Sequence, residues 1–458
     1  MVSPSAVARA IGAPESVVAW QDRADRWHRT YAGTPVTLTF DTATGSVQRT
    51  RMSMKLASRV CEDWAGLLWG EDAHITGNQL VDDAMTEAFS DRLLQHIEGT
   101  MALGTGALEV IADMDVSDSG EITRIRSVYV DTCETPNIYP LEWSRGEVTA
   151  VALVSFDTDD TFTARVHRYD PLTQRGTVTN RRFRAWGMGA RELPLEDGVV
   201  AEYRYQGPPM FAVWTPAVRN AAWPKGPFGV SILDRPLDTL DVLDNAFDNL
   251  NADIVLGRKM VMLPDTMLKR DVDGNPIPPQ RDRTQLFVSY SDATGEGGKP
   301  VEFNPSLRVG ENTEAVDMAI SLVGEMVGMG SDRYRYRSGQ VATATQVIAE
   351  QSSTYRQRAK HLKALEPALL AIGACVSEIG VRYLGLPRED VDVVTDDSVI
   401  IDDTSRYEEG RMKFASGLLS LERYLREYER LSDEEIAREL ERLGVAAVAT
   451  PERTGDTL

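Results

Sequence analysis

One stretch constrains this chain more than any other. From Ser231 to about Met260, Leu233, Leu237, Leu240, Leu243, Phe247, Leu250 and Ile254 recur at spacings of three and four. That is the period of one helical face. Asp234, Asp238, Asp241, Asp244 and Asp248 repeat with the same spacing as a second, adjacent stripe. The pattern predicts a long helix over 231–260, with an apolar face beside a column of carboxylates. The column has two readings. It is a solvated amphipathic face, or it is a wall that repels a polyanion, because carboxylates cannot release counterions from phosphate.

The flanking sequence mixes helix and strand. Residues 1–110 read as mainly helical, with helices from Pro14 to about Tyr31, over Met52–Trp69 and over Val81–Leu103. A short strand, Val36–Phe40, interrupts them, and Gly104-Thr105-Gly106 ends the last. Residues 107–206 alternate in polarity over Ala107–Ile111, Ile122–Val130, Val148–Phe156, Phe162–Tyr169, Gly176–Phe183 and Val199–Tyr205, which predicts an antiparallel β region. After the long helix, residues 261–309 are rich in turns and proline, with short strands at Leu286–Tyr290 and Val301–Phe303. Helix resumes over Gly310–Met329, a loop spans Gly330–Thr343, and a helix over Ala344–Leu384 contains Pro367, which predicts a kink. Acid-rich residues 388–403 suggest a short β pair around Val391–Val394 and Val399–Ile401, and Tyr407–Leu443 reads as helix. The fold class expected is α+β.

Composition narrows the function. The net charge of −21 excludes a protein that grips nucleic acid through its whole surface, and disfavours an anionic membrane as partner. Cys61, Cys133 and Cys375 are far apart and form no C-x-x-C, which excludes a disulfide framework or zinc finger and suits a reducing compartment. The N-terminus lacks the apolar core of a signal peptide, and the apolar stretch near Ala368–Val376 falls short of a membrane span.

Catalytic signatures are sparse. There is no Walker A motif: Gly295–Lys299 has the wrong glycine spacing and Pro300 follows the lysine. There is no G-x-G-x-x-G or G-x-S-x-G, and His28, His74, His96, His167 and His361 are scattered. The D-x-D pairs Asp113/Asp115, Asp157/Asp159, Asp271/Asp273 and Asp390/Asp392 could each hold a divalent ion, but chance explains their number in so acidic a chain. Asp271–Asn275 reads as a β-turn. No cofactor is expected.

The basic side chains concentrate in one place. Arg333, Arg335, Arg337, Arg356, Arg358, Lys360 and Lys363 form an island between residues 333 and 363. Arg333-Tyr334-Arg335-Tyr336-Arg337 alternates guanidinium and aromatic groups in a loop between two helices. Such an element suits contact with a nucleic-acid backbone without reading bases. The plainer reading is a solvated loop with salt bridges between subunits.

Three segments resemble those of a known family. Pro227-Phe228-Gly229-Val230-Ser231 precedes the Leu/Asp helix. Val341-Ala342-Thr343-Ala344-Thr345-Gln346-Val347, followed by Ser352, Tyr355 and Lys360, opens the long helix, with Thr343 and Gln346 where the family commonly has Ser and Glu. Leu93–Val110 runs helix, glycine pair, strand. Together they resemble the portal proteins of tailed double-stranded DNA bacteriophages, particularly of long-tailed actinobacterial phages (siphophage type), over about residues 50–385. The first 45 residues match no part of that pattern.

The resemblance implies a homo-oligomeric ring, usually a dodecamer, at one capsid vertex of the virion, assembled in the host cytoplasm. It implies a wing over 1–225, stem helices over 226–258 and 310–329, and a clip over 259–309. It implies a tunnel loop over 330–344, a kinked wing helix over 345–385 and a crown over 386–458. DNA would pass without sequence specificity, facing Arg333, Tyr334, Arg335, Tyr336 and Arg337 of the loop. The terminase large subunit and then the head–tail adaptor would dock at the clip, with the major capsid and scaffolding proteins as further partners. The subunit itself would not be an enzyme. The alternatives are a metal-dependent α+β transferase using a D-x-D pair, or another phage structural protein.

Overall fold

The structure is a computed structural model. It describes residues 2–42, 45–187, 189–256, 260–264, 270–274, 286–290, 301–304, 306–335 and 344–395, with seven positions beyond them. The fold is mixed α+β, with several antiparallel sheets. Two compact units divide the chain, Met1–Thr395 and Asp396–Leu458.

The first unit opens with α1 (Pro4–Ile11) and α2 (Glu15–Tyr31), then a hairpin of β1 (Thr37–Thr42) and β2 (Gly45–Thr50). Helix α3 (Leu56–Leu68), strand β3 (His74–Thr76), α4 (Gln79–Ala84) and α5 (Glu87–Leu103) follow. The expected single helix over 81–103 is therefore two. Thr86 takes an extended conformation (φ −70°, ψ 174°), and its carbonyl accepts from the amides of Phe89 and Ser90, which restarts the helix.

Nine strands come next: β4 (Gly106–Val116), β5 (Ile122–Glu134), β6 (Ile138–Ser144), β7 (Glu147–Phe156), β8 (Thr161–Asp170), β9 (Arg175–Trp186), β10 (Gly189–Leu193), β11 (Glu202–Gln206) and β12 (Phe211–Trp214). They form one sheet in the order β10-β9-β8-β7-β6, with β11 also paired to β9, and a second in the order β12-β4-β5. Both faces of the larger sheet are covered. Ala152 and Val154 of β7 pack under α1 and α2 with Trp20, Trp27, Phe162 and Phe183. Val151 and Leu153, pointing the other way, pack with Ala107 and Phe211 of the smaller sheet. The period of two assigns alternate residues of one strand to two cores.

Helix α6 (Leu237–Leu256) begins six residues later than its periodicity suggests. Residues 232–236 are turns, because Pro236 has no amide hydrogen to donate. Its carbonyl accepts the first helical bond, from the amide of Leu240, so it ends the turn and starts the helix. Asp234 thus lies outside the helix. The C-terminal end of the expected helix is strand instead: β13 (Met260–Pro264) pairs in parallel with β14 (Leu286–Tyr290) and antiparallel with β15 (Val301–Phe303). Helix α7 (Val309–Val327) then returns antiparallel along α6, with Asn312 Nδ2 2.7 Å from Asp253 Oδ2 and Thr239 against Met326 at the other end.

Helix α8 (Ala344–Ile379) contains Pro367 and ends in a π-helical turn, Gly380–Leu384, closed by Gly385 in the left-handed region. By length and composition, Ser353–Leu384 would suffice to cross a bilayer, contrary to the sequence expectation. Its Leu362, Leu365, Leu369, Ile372, Cys375 and Val376 are buried in the protein interior. Strand β16 (Asp392–Val394) pairs antiparallel with β3; the expected partner strand, Val399–Ile401, lies outside the described residues. Residues 386–395 belong to the first compact unit. In the second unit, the described positions are helical, and Phe414 stacks on Tyr424 at 5.3 Å.

Candidate nucleic-acid interface

The aspartate stripe anchors the N-terminal part of the chain. Arg49, at the end of β2, places its two terminal nitrogens 2.6 Å from the two oxygens of Asp248. Arg51 reaches Asp241 at 3.0 Å, Asp244 at 3.4 Å and Asn245 at 3.1 Å. The backbone amides of Met52 and Met54 donate to Asp248 and Asp244. Asp234, on the turn before α6, accepts from Arg23 and from the Trp27 indole of α2. Asp238 is the member of the stripe without an ion pair among the described residues; it is exposed.

Most of the stripe is thus ion-paired within the chain. Three guanidinium groups pair with four of the five carboxylates. The Arg49 hydrogen bonds hold the Asp248 carboxyl below its ordinary range against the upward push of burial, with help from the Met52 amide. The periodicity of 231–260 is visible in sequence, whereas the arginines come from about two hundred residues upstream and no local pattern links them. The one legible signal is that Arg49 and Arg51 are two apart at a strand end, hence on one face.

The basic loop is only partly described. Helix α7 stops at Gly328 (φ 82°), and Gly324 leaves room for the Gly330 carbonyl to fold back on it. Arg333 Nε lies 3.8 Å from Asp63 of α3, and half of the Arg333 side chain stays exposed. Tyr334 turns inward, its hydroxyl 3.1 Å from Met329 Sδ. Burial, then the Asp63 carboxylate, pushes its phenol well up. Arg335 pairs with Asp332 at 3.4 Å and is also partly exposed. Tyr336 and Arg337 lie outside the described residues. The alternation Arg-Tyr-Arg therefore separates in space: two guanidiniums reach solvent and the ring between them is a foot against α3.

The rest of the basic island divides similarly. Arg358 is buried and donates from Nε to the Leu67 carbonyl at 2.6 Å, so it clamps α8 to the end of α3. Lys360 and Lys363 are exposed. Near Arg358 in sequence, His361 packs against Trp64 and accepts the Ala217 amide on Nδ1 at 3.1 Å. Burial, then Lys360, pulls this imidazole down to about 4. It is neutral at physiological pH, and the cationic loop gains no charge from it.

Two of the family-like segments meet at the base of α6. The Gly229 amide donates to Thr105 Oγ1 at 3.0 Å, and Ser231 Oγ and the Ile232 amide donate to the Met101 carbonyl at 3.3 and 3.1 Å. The last two satisfy the Met101 carbonyl, which the end of α5 leaves free. They fix the direction in which α6 leaves the sheet region.

At least one member of each D-x-D pair is engaged within the protein. Asp113 and Asp115 share one face of β4, and Arg126 bridges both at 3.0 and 2.8 Å. Asp157 is taken by Arg182 and Thr163. Asp271–Gly274 is the expected turn, with the Gly274 amide on the Asp271 carbonyl and the Asp273 amide on Asp271 Oδ1. Asp392 accepts the Val393 amide at 2.9 Å. Among the described residues, no three His, Cys, Asp or Glu side chains are grouped to hold a metal ion. The buried Glu109 accepts from Arg165 at 2.7 Å and lies 2.6 Å from His167 Nε2. Burial raises its pKa, but His167 and Arg165 together hold it below the ordinary value.

No protein-family model matches this sequence, and no curated protein matches it.

Proposed function

We infer that the chain is a portal subunit: a copy of a closed ring that conducts double-stranded DNA into and out of a tailed phage capsid. The observation that carries this reading is the antiparallel pair α6 and α7, with the three strands β13, β14 and β15 at one end and the Arg333–Arg335 loop at the other. A rod of two helices with a small docking unit at one tip and cationic side chains at the other suits a conduit wall. The outer flank of α7 adds support. Met318 and Leu322, four residues apart, are exposed at 67% and 42%. In a ring, such a surface is covered by the next copy through a heterologous, closing contact. The terminase and the adaptor would dock at the β13–β15 end, and DNA would run past the 330–344 loop.

The test is native mass with negative-stain imaging of the purified chain at low micromolar concentration. A species of ~600 kDa with a central hole is expected, from about twelve copies of a 50.6 kDa chain. A particle of that mass without a hole, or a stable dimer, would overturn the reading.

A further inference from the structure

The hairpin of β1 and β2 has no core of its own. Each strand pairs only with the other among the described residues. An isolated two-stranded hairpin is marginal in water. What secures it is its root, where Arg49 and Arg51 grip α6. Alternation puts Val36, Leu38 and Phe40 on the same face as Arg49 and Arg51. That face is only partly used. Val36 and Phe40 are 42% and 45% exposed, and Met52 and Met54, just beyond the hairpin, 43% and 37%.

The arm and α7 lie on opposed sides of α6. Thr239 and Asp253 meet α7, while Asp248 and Asp244 hold the arm. Thr239 and Asp248 are nine residues apart, as are Asp244 and Asp253. Nine residues are about two and a half helical turns, hence half a turn round the axis. The chain's own arm thus leaves the outer flank of its own α7 open, as the exposures of Met318 and Leu322 record.

The two surfaces are complementary in charge as well as in polarity. Helix α7 carries Glu311, Glu314, Asp317 and Glu325 and no basic residue. The arm carries Arg49, Arg51 and Lys55 against one acid, Asp41, and the Arg49 side chain is still 40% exposed beside Asp248. Resting on the ring reading above, we propose that the arm, residues 36–55, is an intersubunit clasp: its apolar overhang covers the exposed Met318 and Leu322 on α7 of a second copy of this chain. Each copy gives one arm and receives one, which is the requirement for a heterologous contact that closes.

The experiment is disulfide trapping in the full chain. Phe40→Cys and Leu322→Cys are made singly and together in a Cys133→Ser background; both sites are exposed, whereas Cys61 and Cys375 are buried and Cys133 only partly so. After oxidation, the double variant should run as a ladder of covalent multimers on a non-reducing gel. An oxidised mixture of the two single variants should stop at covalent dimers, and each single variant alone should stay monomeric. The parent chain's native mass is measured beside them. A parent that associates while the double variant gives no ladder, or cross-links within one chain, overturns the clasp alone. A parent that stays monomeric at all concentrations overturns the clasp together with the ring.

Discussion

Gly229 lies so close to Gly104 that a Cβ at position 229 would overlap the Gly104 carbonyl oxygen and the Thr215 side chain. Gly104 itself sits at φ 82°, and a Cβ there would stand 2.7 Å from the Ser231 amide nitrogen. Both close approaches are to backbone, which cannot swing aside. Gly229→Ala should therefore destabilise the protein by about 2–4 kcal/mol, the range for overpacking and backbone strain. The check is urea unfolding, with a lower midpoint and an unchanged slope. A variant as stable as the parent would mean that the α5–α6 junction is loose.

Breaking the Arg49–Asp248 pair should free the arm. Arg49→Met is expected to lower the thermal midpoint at pH 7 and to speed tryptic cleavage at Arg51 and Lys55. The pH dependence has a definite sign. Asp248 has a depressed carboxyl in the folded state, so its contribution is full above the ordinary carboxylate pKa and is lost as pH falls through the folded value. The variant should show a flatter acid limb below about pH 4. Equal cleavage rates in parent and variant would show that the arm is fastened elsewhere.

Glu134 titrates in the opposite sense. Burial, then the Glu98 carboxylate, raises it to about 7, where it lies against Gly99 and 3.8 Å from His96 Nδ1. The folded state holds this proton between about pH 4.5 and 7 and the unfolded chain does not. Stability from this group therefore falls as pH rises through that window. Burial pulls His96 down to about 3, so its own loss occurs on acidification below about 6.5. The two effects oppose each other below that pH. Between about pH 6.5 and 7.5 only the Glu134 effect remains of the two, and Glu134→Gln should flatten the decline in thermal midpoint measured there.

The exposed guanidiniums of the loop should contribute to DNA binding and not to assembly. Arg333, Arg335 and Arg337 changed together to Ala should leave the oligomer mass unchanged and lower the yield of packaged genome. For a short duplex, the slope of log affinity against log salt should fall by about 0.9 for each phosphate that is no longer neutralised. Unchanged genome yield and salt slope would remove DNA binding from the role of the loop.

The strands at Leu286–Tyr290 and Val301–Phe303 could be read from residue pattern, and so could the helices α2, α3 and α7 and most of the β region, because each of these last buries one face and so repeats with its own period. Boundaries that depend on one residue were less visible: Pro236 delays α6 and Thr86 divides α4 from α5. The aspartate stripe was legible as a pattern and not as a set of partners. Its charge is a local property of the sequence; its neutralisation by Arg23, Arg49 and Arg51 requires the chain to return over some two hundred residues. The loop divides in the same way. The order Arg-Tyr-Arg is written in the sequence, but only packing against Asp63 turns Tyr334 inward and leaves its neighbours in water. Periodicity follows from the local geometry of helix and strand. Which charge meets which follows from the route of the whole chain, and that is decided by burial of the two cores around β7.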